Sequence, residues 1–209
     1  QPWRAAPGHP WIWRARFWGH EPQTEIALLE RGFHVAYCDV AELYGNAEAL
    51  TIWDHFYRQM LSAGLAPKAV MEGFSRGGLY IYRWAAEYPD RVACIYADAP
   101  VLDAKSWPGG KGKSAGNAEE WQRFKNNFNL HNEAEALAFA GNPMDLVELF
   151  VQAQIPMLHV CGEADEVVPI SENTDLFEQK ILALNGHITV IRKPGVNHHP
   201  HSLANPQPI

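Results

Sequence analysis

Short apolar runs recur along the chain, separated by longer segments in which apolar residues return every three or four positions. The runs predict β-strands at Trp11–Arg16, Phe33–Asp39, Lys68–Glu72, Val92–Ala97, Pro156–Cys161 and His187–Lys193. The first run alternates large apolar and basic residues, but as a set the runs lack strict alternation, as strands buried on both faces do. The pattern therefore predicts a mostly parallel sheet of about six strands.

The segments between these runs predict helices. The longest follows Asn46, a helix-capping residue type, and continues to about Ala63, with Leu50, Trp53 and Tyr57 at helical spacing. Other helices are expected at Gln23–Arg31, Arg76–Tyr88, Glu119–Asn127, Glu133–Ala140, Pro143–Gln152 and, capped by Ser171, at Ser171–Leu184. Alternation of strand and helix indicates an α/β fold with helices flanking the sheet.

The length of the chain, 209 residues, is enough for one sizeable hydrophobic core. We therefore expect a single domain over residues 1–209. Residues 105–154, between the fourth and fifth strands, begin as a loop rich in Gly, Lys and Ser and continue as helical segments. They are expected to form a small helical cap over the C-terminal edge of the sheet.

The acidic net charge bears on whether the protein binds nucleic acid. A formal net charge of -7 argues against a nucleic-acid binder, which usually presents a basic face. No apolar stretch approaches the roughly 18 residues that span a bilayer, and no secretory signal peptide is visible, so we expect a soluble protein without a membrane partner. Cys38, Cys94 and Cys161 are expected to be buried thiols rather than a disulfide framework. Oligomeric state and compartment stay open.

One pentapeptide points to nucleophilic catalysis. Gly73-Phe74-Ser75-Arg76-Gly77 fits the nucleophile-elbow pattern G-x-S-x-G, with a predicted strand before it and a predicted helix after it. Such a turn lifts the Ser75 hydroxyl above the sheet, and side chains two residues to either side would collide, so both positions are glycine. The amide of Arg76 would point at a developing oxyanion. An ordinary Gly-rich turn is the alternative.

A carboxylate partner is expected after the fifth strand. Asp165 follows Cys161 in the loop GEADEVVP, at the edge of the sheet where Ser75 should emerge. A carboxylate there can accept the Nδ1–H of a histidine and hold its tautomer. The alternatives are Glu163, Glu166, Asp98 or a solvated acidic loop without a catalytic role.

Three histidines, His198, His199 and His201, follow the last strand within four residues. We predict His198 as the general base, because it comes first after the turn at Gly195, with His199 as the alternative. A His-rich tract can also bind metal, and His198 with His201 could chelate an ion. No matching cluster of acidic or Cys ligands stands out elsewhere, so no metal site is predicted. No cofactor motif is found, and no cofactor is expected.

The three pieces occur in the order Ser, Asp, His, which is expected of α/β-hydrolases and differs from the two other common triad orders. With the segments GFSRGG, YPDRVACIYADAP, GEADEVVP and GVNHHPHSL, this order makes the chain resemble the α/β-hydrolase superfamily, close to its esterase and prolyl-oligopeptidase-like branches. The resemblance covers nearly the whole chain. It implies the α/β-hydrolase fold and an acyl-enzyme on Ser75, with Asp165 and His198 completing the triad.

The resemblance also places a second oxyanion donor on the backbone of Phe17–His20, and we predict the Trp18 amide. This chain departs from the superfamily in two ways. It lacks the usual His-Gly oxyanion signature. The sequence given also begins about where the strand before this loop is expected and ends at Ile209, soon after the histidine loop. We therefore expect either a sheet that is shortened at both ends or a sequence that is trimmed there.

The chain carries eight tryptophans, a high count, and aromatic rings stack well on sugar faces. We predict a carboxylic ester as substrate, either a small molecule or an acylated carbohydrate, and expect Trp107 and Phe74 to bind it. Trp53, Trp84 and Trp121 lie at helical spacing and are expected in the core. The alternatives are a small serine peptidase of the same superfamily and a non-catalytic binding module on a hydrolase scaffold.

Overall fold

The computed structural model describes residues 1–209 and contains one six-stranded sheet. The strands are β1 (Trp11–Arg14), β2 (His34–Tyr37), β3 (Ala69–Phe74), β4 (Val92–Asp98), β5 (Met157–Gly162) and β6 (Thr189–Lys193). All neighbouring strands are parallel, and their order across the sheet is β2-β1-β3-β4-β5-β6. The prediction of a parallel sheet of about six strands is confirmed.

Seven α-helices accompany the sheet. They are α1 (Gln23–Glu30), α2 (Ala47–Ser62), α3 (Gly77–Glu87), α4 (Ala118–Asn127), α5 (Glu133–Leu137), α6 (Val147–Gln152) and α7 (Thr174–Ala183). The predicted capping residue Asn46 does cap α2, because its side chain accepts a hydrogen bond of 2.9 Å from the amide of Ala49. None of the helices has both the length and the hydropathy needed to cross a membrane.

Successive residues of β1 show how the sheet separates two layers. Trp11 and Trp13 face the layer that contains α2 and α3, and the ring centroid of Trp13 lies 4.6 Å from that of Trp53 and 5.2 Å from that of Trp84. Ile12 points to the opposite face, as the two-residue period of a strand requires. There, α1 and the end of the chain border an apolar groove of about 400 Å³.

Several predicted helices and strands are shorter in the structure, because turns take up their ends. The helix predicted at 143–152 begins at Val147 after a 3-10 turn, the helix predicted at 133–140 ends at Leu137, and the last strand begins at Thr189. The prediction of Ser171 as a helix cap is wrong. Ser171 lies in a 3-10 turn, and α7 begins at Thr174 after Asn173, whose side-chain oxygen accepts from the Leu102 amide instead.

Residues 105–154 carry α4, α5 and α6. Their side chains Trp121, Phe124 and Phe150 belong to the same hydrophobic cluster as α2 and α3, and α6 packs against α3 and α7. The loop before α4 is tied to residues after β5, since Ser114 Oγ donates to the Val167 carbonyl at 2.7 Å. That this segment forms a cap over the C-terminal edge of the sheet stays a prediction.

Candidate active site

The C-terminal edge of the sheet brings three predicted residues together. Ser75 follows β3, Asp165 follows β5 and His198 follows β6, and parallel strands end at the same edge. Ser75 Oγ lies 3.0 Å from His198 Nε2, and His198 Nδ1 lies 2.7 Å from Asp165 Oδ2. This continuous chain of hydrogen bonds is the geometry that a Ser-His-Asp triad requires.

The backbone at Ser75 is held in a strained conformation. Its φ is +51°, in the left-handed region that residues other than glycine rarely adopt. Two hydrogen bonds hold it there: the Ser75 amide donates to the Asp98 carbonyl, and its carbonyl accepts from the Val101 amide, both at 2.9 Å. The end of β4 and the loop after it therefore support the strained turn that exposes the hydroxyl.

The glycines around Ser75 differ in how much space a Cβ atom would have. A Cβ on Gly73 would lie 2.7 Å from the carbonyl oxygen of Gly77, so the collision expected there is present. The same expectation for Gly77 is wrong, because a Cβ on Gly77 would meet nothing closer than 3.8 Å. Gly78, which the elbow pattern does not include, is the second constrained position: its Cβ would lie 2.8 Å from Pro100 Cβ.

Both partners of Ser75 are nearly excluded from solvent and are oriented by their loops. Asp165 is 6% exposed and His198 is 7% exposed. The other Asp165 oxygen accepts from the amides of Val167 and Val168, at 2.9 and 2.8 Å. These bonds leave Oδ2 aimed at the imidazole, which keeps Nε2 of His198 available as the acceptor for the serine proton.

Asn197 links the acid loop to the histidine loop, a role that the sequence pattern did not reveal. Its Oδ1 accepts from the His198 amide at 2.7 Å and from the Glu166 amide at 3.1 Å. The position directly before His198 in a Gly-containing turn is the only sequence signal that could have drawn attention to it. These two hydrogen bonds set the distance between the loops that carry Asp165 and His198.

Asp98, a candidate for the catalytic acid, has a different histidine partner. Asp98 is fully buried, and its Oδ1 lies 2.8 Å from Nδ1 of His201, while Oδ2 accepts from the Ser202 amide and the Tyr96 hydroxyl. Two buried Asp–His pairs therefore lie side by side, with ring centroids of His198 and His201 4.9 Å apart. Only the pair containing His198 reaches Ser75.

Glu163, Glu166 and His199 take no part in the hydrogen bonds of the triad. Glu163 and Glu166 are exposed in the acid loop. His199 is exposed beside His198, with ring centroids 5.0 Å apart, and makes no hydrogen bond to Ser75. Partial burial, with further contributions from the nearby His201 and His198, lowers the pKa of His199 below its ordinary value of 6.5.

A cleft of about 360 Å³ opens above Ser75. Its lining residues are mostly aromatic or imidazole side chains: Phe17, Trp18, His20, Ser75, His198, His199 and His201. The backbone amides of Arg76 and Trp18, the predicted oxyanion donors, have no acceptor within the protein. Beside the cleft, His20, Glu21, His199 and His201 place donor atoms within 4.8 Å of one another, close enough to hold a metal ion.

Arg14 holds the loop that carries Trp18, and sequence reasoning did not identify it. The guanidinium is fully buried and donates to the backbone carbonyls of Arg16, Phe17 and His20, at 3.0, 3.2 and 2.7 Å. Three bonds from one side chain fix the path of this loop past Ser75. The basic residue at an inward position of an apolar strand was the available signal.

Two residues predicted to bind substrate, Phe74 and Trp107, are buried and do not line the cleft. Phe74 is fully buried: the Arg14 guanidinium lies 3.8 Å from its ring centroid and the His201 ring 5.0 Å. The prediction that Phe74 contacts substrate is therefore wrong, because elbow geometry turns this side chain inward while lifting Ser75 out. Trp107 is 8% exposed and does not line the cleft, and the Arg76 guanidinium lies 5.0 Å from its ring centroid.

Among the eight tryptophans, Trp18 is the one that lines the cleft, and its side chain is 57% exposed. Its ring centroid lies 5.4 Å from that of Tyr37 at the end of β2. Trp11 and Trp13, which precede it in the sequence, belong to the core instead. Trp11 and Trp13 thus have a structural role, and Trp18 is the tryptophan that presents an exposed ring beside Ser75.

Known proteins with this fold include hydrolases of different types. A puromycin-hydrolyzing peptidase of Mycobacterium tuberculosis superposes with a TM-score of 0.69 at 12% identity, over 93% of this chain and 31% of that one. Dipeptidyl peptidase 4 of Porphyromonas gingivalis gives 0.68 at 17%, over 95% and 29%. A proposed lipase of Acinetobacter baumannii gives 0.55 at 14%, over 94% and 80%.

The chain therefore spans about a third of the length of these two peptidases. At such identities the likeness shows the fold alone, and no curated protein sequence matches the chain. The sequence model of the prolyl oligopeptidase family does match, over residues 49–207, a stretch that contains Ser75, Asp165 and His198. On this match, and with the α/β-hydrolase fold around it, the chain belongs to the prolyl oligopeptidase family.

Proposed function

We propose that this protein is a serine hydrolase that cleaves carboxylic esters through an acyl-enzyme on Ser75. The observation that carries the proposal is the unbroken path from Ser75 Oγ to His198 Nε2 at 3.0 Å and from His198 Nδ1 to Asp165 Oδ2 at 2.7 Å. A hydroxyl in that position is a nucleophile paired with its base. Membership in a family of serine hydrolases agrees with this assignment.

In the first half-reaction, Ser75 Oγ attacks the ester carbonyl and its proton passes to Nε2 of His198. Asp165 stabilises the imidazolium that forms. The free amides of Arg76 and Trp18 would donate to the oxyanion of the tetrahedral intermediate. When the intermediate collapses, the C–O bond to the alcohol breaks and the alcohol leaves with the proton from His198.

In the second half-reaction, His198 takes a proton from water, and the hydroxide attacks the acyl-enzyme. Collapse of this second intermediate releases the carboxylic acid and returns the proton to Ser75 Oγ. Every proton transfer uses the same nitrogen, Nε2, because Nδ1 stays bonded to Asp165.

The exposed Trp18 supports an acylated carbohydrate as the substrate class. Its ring borders the cleft that contains Ser75 and offers an apolar platform on which a sugar face could stack. The cleft itself, at about 360 Å³, suits a small acyl group with one or two sugar units.

The second candidate function is peptide hydrolysis, which is favoured because the matching family model is that of the prolyl oligopeptidases. An ester and an amide pass through the same tetrahedral geometry, so the triad does not distinguish them. A direct comparison of substrates is therefore required.

The test is hydrolysis of p-nitrophenyl acetate and of a peptide p-nitroanilide by the wild type and by Ser75→Ala. We expect acetate release by the wild type, a loss of about 10⁴-fold or more in Ser75→Ala, and little amide cleavage. Circular dichroism of both proteins checks the fold. Faster turnover of the anilide than of the ester would replace the esterase by the peptidase. Failure of a fluorophosphonate to label Ser75 would instead favour a non-catalytic binding module.

The carbohydrate substrate needs its own comparison. We expect Trp18→Ala to raise KM for an acetylated xylo-oligosaccharide while changing hydrolysis of p-nitrophenyl acetate much less. Trp3→Ala is the matched control, because Trp3 is fully exposed and does not line the cleft. Equal effects of Trp18→Ala on both esters would contradict a sugar platform.

A further inference from the structure

Four side chains from two distant segments converge at the rim of the cleft. His20 and Glu21 come from the loop after β1, and His199 and His201 come from the loop after β6, yet one donor atom from each lies within 4.8 Å of all the others. The centroids of the His199 and His201 rings are 4.7 Å apart, and that of His20 lies 5.7 and 6.0 Å from them. We propose that these four residues form a zinc site beside Ser75.

The spacing is close to that of a bound ion. Zinc–nitrogen and zinc–oxygen bonds of about 2.0–2.1 Å in a tetrahedral site separate neighbouring ligand atoms by about 3.3 Å. His20 Nε2 and Glu21 Oε2 already lie 3.3 Å apart. The other distances between donor atoms, up to 4.8 Å, would have to shorten when an ion binds. His20 and His199 can provide this movement, because both are exposed and free to change rotamer.

The two less mobile ligands are fixed by buried partners. Nδ1 of His201 is bonded to Asp98 at 2.8 Å, so Nε2 is the nitrogen left to bind a metal, and His201 lines the cleft. A carboxylate behind a histidine is the usual support of a metal-binding imidazole, since it selects the tautomer whose other nitrogen carries the lone pair. Glu21 Oε2 accepts from the His201 amide at 2.7 Å, which anchors this carboxylate beside the imidazole.

The chemistry of the ligand set narrows the class of metal. Three imidazoles and one carboxylate suit a transition ion such as Zn²⁺, which is commonly bound by four such ligands, whereas Mg²⁺ and Ca²⁺ prefer sites made of oxygen ligands alone. His198 is not part of the set, so its hydrogen bonds to Ser75 and Asp165 can stay in place when the ion binds.

Occupancy of the site would obstruct access to Ser75, because three of its ligands line the cleft that contains the serine. Zinc should therefore inhibit hydrolysis, and a chelator should restore it. This consequence rests on the proposed function, whereas binding of the ion does not.

The experiment is calorimetric titration of the tag-free, EDTA-dialysed protein with zinc chloride at neutral pH. We expect one ion per chain and an affinity that falls more than about tenfold in each of His20→Gln and His199→Gln. His55→Gln is the matched control, because His55 is exposed on α2, away from the cleft, and should bind like the wild type. Titration with Co²⁺ should give the visible absorption of a tetrahedral site in the wild type and lose it in His199→Gln.

Absence of saturable zinc binding, or an unchanged affinity in both cleft variants, would overturn the zinc site. Zinc that binds with these variant effects but leaves p-nitrophenyl acetate hydrolysis unchanged would overturn the inhibition. Ser75→Ala should bind zinc like the wild type. Because calorimetry does not depend on hydrolysis, failure of the proposed function and failure of the zinc site are distinguishable.

Discussion

Nδ1 of His198 lies 2.7 Å from Oδ2 of Asp165, although the two residues come from loops after different strands. Beside this pair lies another with the same chemistry, Asp98 with His201, at 2.8 Å. The two pairs differ in one contact: His198 is hydrogen-bonded to Ser75, and His201 is not. An Asp–His pair can therefore have either of two roles here: with Ser75 as its neighbour it can transfer a proton, and without it the aspartate only fixes the tautomer of the histidine.

Replacement of Asp165 by Asn should greatly reduce ester hydrolysis while leaving the fold intact. The amide oxygen can still accept from the Val167 and Val168 amides, but the charge that stabilises the imidazolium is lost. We expect kcat to fall by about 10³–10⁴ on p-nitrophenyl acetate, with a small change in melting temperature. A variant that keeps kcat within tenfold of wild type would remove Asp165 from the triad.

Two glycine substitutions in the elbow should have opposite outcomes. Gly73→Ala places a Cβ 2.7 Å from the Gly77 carbonyl oxygen, so we expect a loss of about 3 kcal/mol or more in the free energy of unfolding. Gly77→Ala, at the first position of α3, would make only ordinary van der Waals contacts, at 3.8 Å, and should be neutral or stabilising by up to about 1 kcal/mol. Urea denaturation measures both, and equal losses would show that the elbow is built differently.

His159 should make the protein sensitive to acid. It is fully buried, with the Tyr82 hydroxyl 2.6 Å from Nε2, and burial lowers the pKa of His159 from 6.5 to about 3. Between these values the unfolded chain binds a proton that the folded protein excludes, so stability falls as the pH drops below 6.5. This group contributes a slope of up to about 1.4 kcal/mol per pH unit.

Urea denaturation between pH 7 and pH 5 compares the wild type with His159→Gln, which has no titrating group there. We expect the free energy of unfolding of the variant to fall less steeply over this range, whatever its value at pH 7. Identical slopes in the two proteins would show that His159 is not the group responsible.

Glu72 should make the folded protein less stable as the pH rises. Burial, reinforced by the neighbouring Glu25, raises the pKa of Glu72 well above its ordinary value of 4.5, and neither carboxyl oxygen has a hydrogen-bond partner. Because the folded state then binds the proton more tightly than the unfolded chain, stability from this group is lost as the pH rises above 4.5. Glu72→Gln should have the same free energy of unfolding as the wild type at acidic pH and a larger one at pH 8.

Glu25→Gln is the contrasting variant. Glu25 forms the close ion pair with buried Arg14, at 2.6 Å, so removal of its charge should lower the free energy of unfolding by at least about 1 kcal/mol. Chemical denaturation at pH 5 and pH 8 separates the two cases. A Glu72→Gln variant less stable than Glu25→Gln at both pH values would mean that Glu72, and not Glu25, carries the charge.

Much of the fold and the three central residues could be predicted from the sequence, because their signals are local. The spacing of apolar residues reports strands and helices, and G-x-S-x-G specifies one sharp turn through backbone geometry around Ser75. Asp165 and His198 are likewise found as an acid and a histidine in the loops that follow the predicted fifth and sixth strands. These features need no knowledge of how distant segments meet.

Other features depended on side-chain direction and on contacts between distant segments. Phe74 belongs to the elbow motif, yet the turn that lifts Ser75 buries Phe74 completely. Asp98 ends β4, where its register partner in β5 is Val160, but its carboxylate is bonded to His201 from the loop after β6. Neither outcome is encoded in a short pattern.

The sequence alone thus determined the parallel α/β sheet, the elbow and the order of the predicted triad, because each strand, helix and motif is recognised from residues that are close along the chain. Only the tertiary structure decided which acid pairs with which histidine and brought His20 and Glu21 to His199 and His201. The bond from the His201 amide to Glu21 joins residues 180 positions apart, and the Asp98–His201 and Asp165–His198 pairs join residues 103 and 33 positions apart. Their formation depends on the packing of the whole sheet, since the ends of its strands set where the loops can meet.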